Sequence, residues 1–252
     1  MKVQISVVII TYNEEKNIAR CIESVLKVAD EIVVIDSFSE DKTKEICQKY
    51  KVKFIQHRFL GHIEQKNLAI KNATHPYILS LDADECLDKY SISDIMSVKN
   101  NWLNDGYFFN RLNNYCGTWV KHGGWYPDKK LRLWDSRLGN WQGKNPHDEY
   151  VMEPKAKIHY FNSNILHYTL SSKEEHIKQI EYFTSIGAKA ALENKKKTGY
   201  VFMYMAATIK FFKDYILKRG FLDGKIGFQI ARLSAWASYL KYKKMLKLAK
   251  QK

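Results

Sequence analysis

Residues 77–85 read YILSLDADE, a short apolar strand that runs directly into two acids one residue apart. Because side chains alternate along a strand, Asp82 and Asp84 are predicted on the same side of the chain as it leaves the sheet. Two close carboxylates repel each other unless a cation or bound water compensates them. Oxygen ligands of this kind suit Mg²⁺ or Mn²⁺ shared with a substrate phosphate. The alternative is that the acids merely end a strand and cap a helix.

The sequence around this segment indicates an α/β fold. Apolar, β-branched runs predict strands at 5–10, 32–36, 52–56 and 77–82, and amphipathic segments between them predict helices. Asn13 is predicted as the N-cap of the first helix. Short links between the elements favour a mostly parallel sheet with right-handed crossovers and flanking helices. Ligands bind at the carboxyl ends of such strands, where Thr11, Asp36 and Asp82 lie.

Four segments carry a joint pattern that resembles one known family. They are 6–15 (SVVIITYNEE), 36–43 (DSFSEDKT), 65–69 (QKNLA) and 81–85 (LDADE), in the family's order. On these residues the chain resembles the family 2 glycosyltransferases, which have the GT-A (Rossmann-like) fold. Two further segments, 126–133 (YPDKKLRL) and 145–149 (NPHDE), are similar to the small bacterial enzymes that add sugars to lipopolysaccharide core.

The resemblance implies a nucleotide-sugar site at the strand ends. It places Thr11, Asn13 and Glu14 around the nucleotide and makes Asp36 the acceptor of a hydrogen bond from the base or ribose. Asp82 and Ala83, at the end of the fourth strand, belong to the same site. Helix capping is the alternative role for Asn13.

Two basic residues are further candidates for the donor site. Lys66 lies in the first half of its predicted helix, where the helix dipole does not favour a cation, so a phosphate or bound nucleotide is its expected partner. A solvated surface lysine is the alternative. Arg132 alternates with apolar neighbours in a predicted strand and is a candidate for the diphosphate, and a cross-strand ion pair is an equal alternative.

The resemblance also implies a metal and a catalytic base. Asp84 and Asp82 are the expected metal ligands, and His167 is a third, with a half-buried strand histidine as the alternative. The expected reaction is inverting, and the attacking hydroxyl must lose its proton to a carboxylate. Glu149 is the first choice for this base and Asp148 the second, although either is also compatible with a turn acid.

The C-terminal quarter is strongly basic and rich in apolar residues. Residues 189–252 carry 16 Lys/Arg against 3 Asp/Glu, whereas residues 1–188 carry 25 against 24. Lysines interleaved with aromatic and aliphatic residues on helices suit an anionic membrane surface. The longest uncharged run in this quarter, 198–209, is too short to span a bilayer. Nucleic acid is disfavoured as a partner because the tail has large apolar faces and no known binding signature, and packing onto the catalytic domain is the remaining alternative.

The predicted organisation is a catalytic domain at 1–171, comprising a nucleotide-sugar half (1–86) and an acceptor half (87–171), followed by a helical membrane-associating region at 172–252. Four scattered cysteines without metal-binding spacing indicate reduced thiols in a cytosolic protein. We expect a peripheral enzyme on the inner face of a bacterial cytoplasmic membrane. It would transfer sugar from a UDP-sugar, with UDP-glucose suggested by the subfamily, to a lipid-linked glycan such as lipopolysaccharide core. A nucleotidyltransferase and a non-catalytic membrane- or nucleic-acid-binding protein are the alternatives.

Overall fold

The computed structural model describes residues 2–144, 147–194 and 198–250. Its first half is a parallel sheet of the predicted kind. Strands β1 (Ile5–Thr11), β2 (Glu31–Asp36), β3 (Lys53–Gln56) and β4 (Tyr77–Asp82) lie side by side in the order β3-β2-β1-β4. The connecting helices are α1 (Ile18–Val25), α2 (Thr43–Cys47) and α3 (His62–Lys71). The predicted α/β fold with helices flanking the sheet is confirmed, and the predicted parallel pairing holds for β1 to β4.

The following segment extends this sheet with antiparallel strands. Its elements are β5 (Glu85–Leu87), α4 (Lys89–Asn100), β6 (Gly106–Tyr115), β7 (Thr118–Trp119), β8 (Lys129–Asp135), β9 (Gly139–Lys144), β10 (His147–Met152) and β11 (Ile158–Leu170). Strand β8 runs antiparallel to both β4 and β6, and β11 runs antiparallel to β5. Strands β9 and β10 pair as a separate antiparallel ribbon.

The two faces of the parallel sheet are buried in different apolar clusters. Ile5, Val7 and Ile9 of β1 point into one cluster, which includes Ile18 and Ile22 of α1. Val8 points to the opposite face, where α3 and the β9–β10 ribbon supply the contacts. There the rings of Trp134 and Tyr150 stack with centroids 4.1 Å apart. Burial on both faces explains why the strands read as nearly continuous β-branched runs.

The chain divides into two compact units. One comprises residues 1–111 and 128–167, and the other comprises residues 112–127 and 168–252, with β6 and β11 contributing residues to both. The second unit contains α5 (Lys173–Glu193), α6 (Tyr200–Phe212), a π-helical turn (Lys213–Leu217), a 3₁₀ turn (Gly220–Asp223) and α7 (Gly224–Ala249). Helix α7 packs against both α5 and α6. Among the described residues, no helix is both long enough and apolar enough to cross a bilayer.

The start of α5 is fixed by a local hydrogen-bond pattern. The Ser172 hydroxyl accepts a hydrogen bond from the backbone N–H of Glu175 at 3.1 Å. The Glu175 carboxylate in turn accepts from the backbone N–H of Ser171 at 2.8 Å. This arrangement is close to a capping box, and it satisfies the N–H of Glu175 in the first helical turn and the N–H of Ser171 just before the helix.

The four cysteines are free thiols in different environments. Cys21, Cys47 and Cys86 are buried, and Cys116 is exposed. Burial raises the pKa of Cys21 well above its usual value, the pKa of Cys47 to about 12 and the pKa of Cys86 to about 11. The three buried thiols are therefore held in the protonated, weakly nucleophilic form.

Candidate active site

The end of β4 is the centre of the candidate site. The strand ends at Asp82, Ala83 and Asp84 form the turn that follows, and β5 begins at Glu85. Ala83 is buried in the apolar cluster behind the turn. The alternation that predicted Asp82 and Asp84 on one side therefore stops at Asp82. The two carboxylates have different partners, Lys66 and Arg132 for Asp82 and His167 for Asp84.

Lys66 lies between two acids from distant parts of the chain. Its Nζ is 2.7 Å from Oδ2 of Asp148 and 3.3 Å from Oδ1 of Asp82, and it lies 4.4 Å from the centroid of the Trp141 ring. The side chain is almost fully buried. The alternative of a solvated surface lysine is therefore wrong. A buried cation needs such partners because its desolvation is costly.

Arg132 on β8 completes the charge balance around Asp82. Its Nη2 is 3.2 Å from Asp82 and 2.6 Å from the carboxylate of Glu85, which is fully buried. Burial alone would raise the pKa of Asp82, but the charges of Lys66 and Arg132 outweigh it and hold that pKa far below its usual range. The cross-strand ion pair considered for Arg132 is thus present, and its role toward a diphosphate stays a prediction.

Glu85 and Arg111 are members of this charge network that the sequence did not single out. Arg111 lies 3.8 Å from Glu85 and donates from its Nε to Asp128 at 2.9 Å. Glu85 follows directly after the two acids of the turn and begins a short buried strand. Because a buried carboxylate requires a cation, this position could have predicted a basic partner for Glu85. Arg111 has no comparable signal, because only the tertiary structure brings it close.

The second carboxylate of the turn contacts the predicted histidine. Asp84 Oδ2 is 3.1 Å from His167 Nε2, and both side chains are largely buried. Glu14 lies in the same environment, where burial, aided by the charge of Asp84, raises its pKa. A carboxylate and an imidazole suit Mn²⁺, and a substrate phosphate can supply further oxygen ligands. Within the described residues, no group of three or more His, Cys, Asp or Glu forms a complete metal site.

Three predicted site residues occupy one edge of the sheet. Thr11 lies opposite Asp36 in the β1–β2 register, and Ile10 lies opposite Asp82 in the β1–β4 register. The buried Thr11 hydroxyl has no hydrogen-bond partner among the described residues. The buried Asp36 carboxylate accepts hydrogen bonds from Ser39 and from Gln56 Nε2. The adjacent registers bring these strand ends together as the parallel topology predicts.

Asn13 does not cap the first helix, so that prediction is wrong. Helix α1 begins at Ile18, with Asn17 in the N-cap position. Asn13 adopts a left-handed conformation with φ of 54°, and its Oδ1 accepts a hydrogen bond from the backbone N–H of Glu40 at 2.9 Å. Its neighbour Glu14 accepts a hydrogen bond from Asn17 Nδ2. Asn13 therefore joins the loop after β1 to the loop after β2.

A cavity of about 470 Å³ opens beside the charge network. Both predicted base candidates, Asp148 and Glu149, line it on β10. Five cationic side chains line it as well, namely Lys66, Arg111, Lys129, Lys130 and Arg132, together with Asp82 and Trp141. The Asp148 side chain is 14% exposed and contacts Lys66, whereas Glu149 is exposed. The preceding Asn145 and Pro146 lie outside the described residues.

An α/β sheet whose parallel strands end in acids beside a polar cavity is the arrangement in which enzymes of the α/β class bind their ligands. Residues 6–152 match the family model described as Glycosyl transferase family 2, which covers more than half of the chain. The chain belongs to this family and is a glycosyltransferase. The family resemblance drawn from its four sequence segments is confirmed.

Relatives in the curated proteins agree with this assignment. The chain is 28% identical over 259 residues to an uncharacterized glycosyltransferase of Rickettsia bellii, covering 98% of this chain and 88% of that protein. A shorter match, 38% identical over 93 residues, is to the lipopolysaccharide core biosynthesis glycosyltransferase LpsC of Rhizobium meliloti. It covers 35% of this chain and 34% of that protein.

Solved structures support the GT-A type of fold. Residues 1–349 of TarS from S. aureus, in complex with UDP-GlcNAc, match with a TM-score of 0.50 and 18% identity, covering 98% of this chain and 92% of that chain. The mannosyltransferase PcManGT from Pyrobaculum calidifontis, in complex with GDP-Man and Mn²⁺, matches with a TM-score of 0.52 and 13% identity. The match covers 100% of this chain and 76% of that chain.

Proposed function

We propose that this protein is a metal-dependent, inverting glycosyltransferase that moves a sugar from a UDP-sugar to a lipid-linked glycan such as lipopolysaccharide core. One observation carries the proposal. Asp82 and Lys66, from the donor half, line the same cavity as the two acids of β10, from the acceptor half. A transferase needs a donor-binding group and a proton acceptor on opposite sides of one reacting carbon, and this cavity offers both.

The donor side of the proposal uses the strand edge of β1, β2 and β4. Thr11, Asn13, Glu14 and Asp36 are assigned to the nucleotide, and Lys66, Asp82, Ala83 and Arg132 to the diphosphate and sugar. The unpartnered Thr11 hydroxyl supports this assignment, because a buried hydroxyl is costly until a ligand bonds it. The solved relatives bind UDP-GlcNAc and GDP-Man, and UDP-glucose is the donor that we propose here.

The proposed metal ligands are Asp84, Asp82 and His167, with Asp82 also facing the diphosphate. The 3.1 Å contact between the Asp84 carboxylate and the His167 imidazole supports this set, because both donors suit Mn²⁺. A divalent ion bound there would neutralise the negative charge of the departing nucleoside diphosphate. PcManGT, in its solved complex, contains Mn²⁺.

The chain's own residues have distinct proposed roles in transfer. The acceptor hydroxyl attacks the anomeric carbon, the bond from that carbon to the diphosphate oxygen breaks, and the hydroxyl proton passes to a carboxylate of β10. Glu149 is the proposed base, with Asp148 as the second candidate. The ion pair with Lys66 holds Asp148 in position at the cavity wall. Replacing each acid separately by its amide will identify the base, because only the base should lose turnover while nucleotide binding persists.

The first experiment avoids the unidentified acceptor. The melting temperature of the purified protein is measured with UDP, GDP, dTDP and CMP, each with and without Mn²⁺, for wild type and Asp84→Ala. A ligand at about 100 times its dissociation constant adds about 2.7 kcal/mol to stability. Glu45→Ala, an exposed acid on α2, is the matched control.

We expect one nucleotide to raise the melting temperature of the wild type, and only when Mn²⁺ is present. This increase should be absent in Asp84→Ala and should persist in Glu45→Ala. A shift that is equal in all three proteins would refute the metal assignment. The absence of any nucleotide effect would refute the enzyme proposal and favour a binding protein built on the same fold. Release of pyrophosphate from a nucleoside triphosphate would instead identify a nucleotidyltransferase.

The proposed location of the enzyme is the inner face of the bacterial cytoplasmic membrane, where a lipid-linked acceptor would lie. The excess of 16 Lys/Arg over 3 Asp/Glu in residues 189–252 supports an anionic membrane surface as a partner. The similarity to LpsC, named as a lipopolysaccharide core biosynthesis enzyme, supports the class of acceptor.

A further inference from the structure

Helix α6 presents its apolar side to solvent. Phe202, Met205, Ile209, Phe212 and Ile216 follow one another at intervals of three and four residues and therefore share one side of the helix and its π-helical continuation. Each of these side chains is between 47% and 58% exposed. An ordinary surface helix turns such a stripe toward the core, so this helix has the reverse orientation.

The opposite side of the same helix carries the buried contacts and the charges. Met203 and Asp214 are almost completely buried there. Lys210 pairs with Asp214 across one turn, with Nζ 2.9 Å from Oδ2. The helix thus buries the Asp214 carboxylate, whose partner Lys210 is partly exposed, while it exposes aromatic and aliphatic side chains. A run of exposed apolar side chains is unfavourable in water, and an apolar or interfacial environment that covers it removes this penalty.

The turns after α6 extend the exposed apolar surface. Leu217 is 77% exposed, and Phe221 and Leu222 are about half exposed in the 3₁₀ turn. Together with the five residues of the α6 stripe, these three form what we call the α6 apolar face. These exposed apolar side chains recur along the chain from residue 202 to residue 222, and the helical part of this segment is shorter than the ~20 apolar residues needed to span a bilayer.

The charges around the α6 apolar face are of one sign. Four exposed basic residues lie within or just after it, namely Lys213, Lys218, Arg219 and Lys225. The two acids of the same segment are withdrawn from solvent, with side chains only 2% and 7% exposed. Asp214 pairs with Lys210, and Asp223 binds His122 and two backbone N–H groups. The exposed charge of this segment is therefore wholly cationic.

We infer that the α6 apolar face lies in the plane of an anionic bilayer, with its apolar side chains at the boundary of headgroups and acyl chains and its lysines and arginine among the phosphates. This inference rests on the proposed function only in that the acceptor is bound to a membrane, and it identifies the surface that holds the enzyme there. Apolar area and basic charge together give binding that neither would give alone. A second copy of the chain fits less well, because two such surfaces would bring like charges together.

The test is binding of the full-length protein to vesicles of phosphatidylcholine, alone or mixed with phosphatidylglycerol, measured by cosedimentation. Two triple variants remove the two parts of the surface. The first is Met205→Gln with Ile209→Gln and Phe212→Gln, and the second is Lys213→Gln with Lys218→Gln and Lys225→Gln. Two matched controls replace exposed residues elsewhere by glutamine. The control for the first variant changes Phe59, Leu60 and Leu103, and the control for the second changes Lys27, Lys49 and Lys51.

We expect wild type and both controls to bind the anionic vesicles and to bind phosphatidylcholine alone weakly. The lysine variant should bind about 100-fold more weakly, since each of its three basic residues contributes about a factor of five at the surface, and the apolar variant should bind at least about tenfold more weakly. Binding of either variant at the wild-type level would overturn the inference. A second result would also overturn it. If light scattering shows that the wild type is a dimer, that the apolar variant is a monomer and that the wild type does not bind vesicles, then a second copy of the chain covers the α6 apolar face.

Failure of this inference is distinguishable from failure of the proposed function. The same variants are tested for the Mn²⁺-dependent nucleotide shift, which depends on residues of the other unit. A retained nucleotide shift with no vesicle binding refutes the membrane surface alone. Vesicle binding without any nucleotide shift refutes the proposed donor and metal site and leaves the membrane surface supported.

Discussion

At the scale of single residues, Lys66 is a buried cation of the site that contacts two acids. Its ammonium group neutralises Asp82 and Asp148, and its side chain is almost fully buried. Lys66→Met leaves Asp148 without this cation, while Arg132 still compensates Asp82. We therefore expect a loss of about 2–3 kcal/mol in the free energy of unfolding, just below the range for a fully buried pair, measured by urea denaturation.

Two further variants make this prediction specific. Lys51→Met removes an exposed lysine and should change stability by less than about 0.5 kcal/mol. Adding Asp148→Asn to Lys66→Met removes the unpaired charge and should restore part of the loss. Strict additivity of the two substitutions would show that the ion pair contributes nothing.

His176 is expected to make stability depend on pH. Its ring packs between Tyr115 and Trp125, and burial lowers its pKa below the usual value. The unfolded chain binds a proton below about pH 6.5 that the folded chain resists. Stability from this group is therefore present above that pH and is lost as the pH falls toward the folded pKa, by up to about 1.4 kcal/mol per pH unit.

The measurement is the free energy of unfolding between about pH 7.5 and about pH 5.5, a range centred on histidine titration. His176→Gln should reduce the slope, whereas His159→Gln, at an exposed histidine, should leave it unchanged. Equal slopes for wild type and His176→Gln would exclude this residue as the cause.

At the scale of elements, two helical glycines have opposite surroundings. A Cβ at Gly227 of α7 would lie 1.8 Å from the backbone oxygen of Gly220, whereas a Cβ at Gly187 of α5 meets only the end of the Lys241 side chain at 3.8 Å. Gly227→Ala should therefore destabilise the protein by about 1–3 kcal/mol, as overpacking does, and Gly187→Ala should stabilise it by up to about 1 kcal/mol.

Thermal and urea unfolding of the two alanine variants measure the expected loss and the expected gain of stability. The chemical change, glycine to alanine, is the same in both variants. Circular dichroism checks that each remains helical. If both variants were equally stable, α7 could not approach the 3₁₀ turn as closely as described.

The elements differ in how far the sequence predicts them. Strands β1 to β4 are predicted well because burial on both faces leaves uninterrupted apolar runs. The antiparallel pairing of β8 with β4 could not be predicted, since it joins segments more than 50 residues apart, such as Leu79 and Leu133, and the backbone hydrogen bonds of a ladder leave no local pattern in the sequence. The start of α1 is misplaced from the sequence because Asn13 and Asn17 are equally good caps.

The sequence also predicts only part of the candidate site. Residues at strand ends, such as Asp36 and Asp82, follow from topology. The partner choices of Lys66 and Arg132 do not follow, because an ion pair depends on distances that only the folded chain fixes. The sequence pattern treated Asp82 and Asp84 as one pair, and the turn after β4 gives them separate partners.

At the scale of the whole molecule, the net charge of +14 predicts attraction to any polyanion. RNA and anionic vesicles should nevertheless respond differently to salt. RNA binding that rests on phosphate contacts alone should fall by about 10³-fold or more between about 50 mM and 200 mM salt for six or more contacts. Vesicle binding should fall less, since part of it comes from the α6 apolar face.

Fluorescence anisotropy with labelled single-stranded RNA and cosedimentation with vesicles measure these two slopes under identical buffers. Steeper salt dependence for vesicles than for RNA would contradict the apolar contribution. RNA binding that survives about 200 mM salt would instead revive nucleic acid as a specific partner.

The thiol environments of this protein give it a built-in attachment point for a probe. Of its four cysteines, only Cys116 is exposed, and the others are buried and strongly resistant to ionisation. A maleimide dye added to the unmodified folded chain should therefore attach at one position. Such a conjugate would let the arrival of the protein on a bilayer be followed by fluorescence in real time, without first engineering a cysteine-free background.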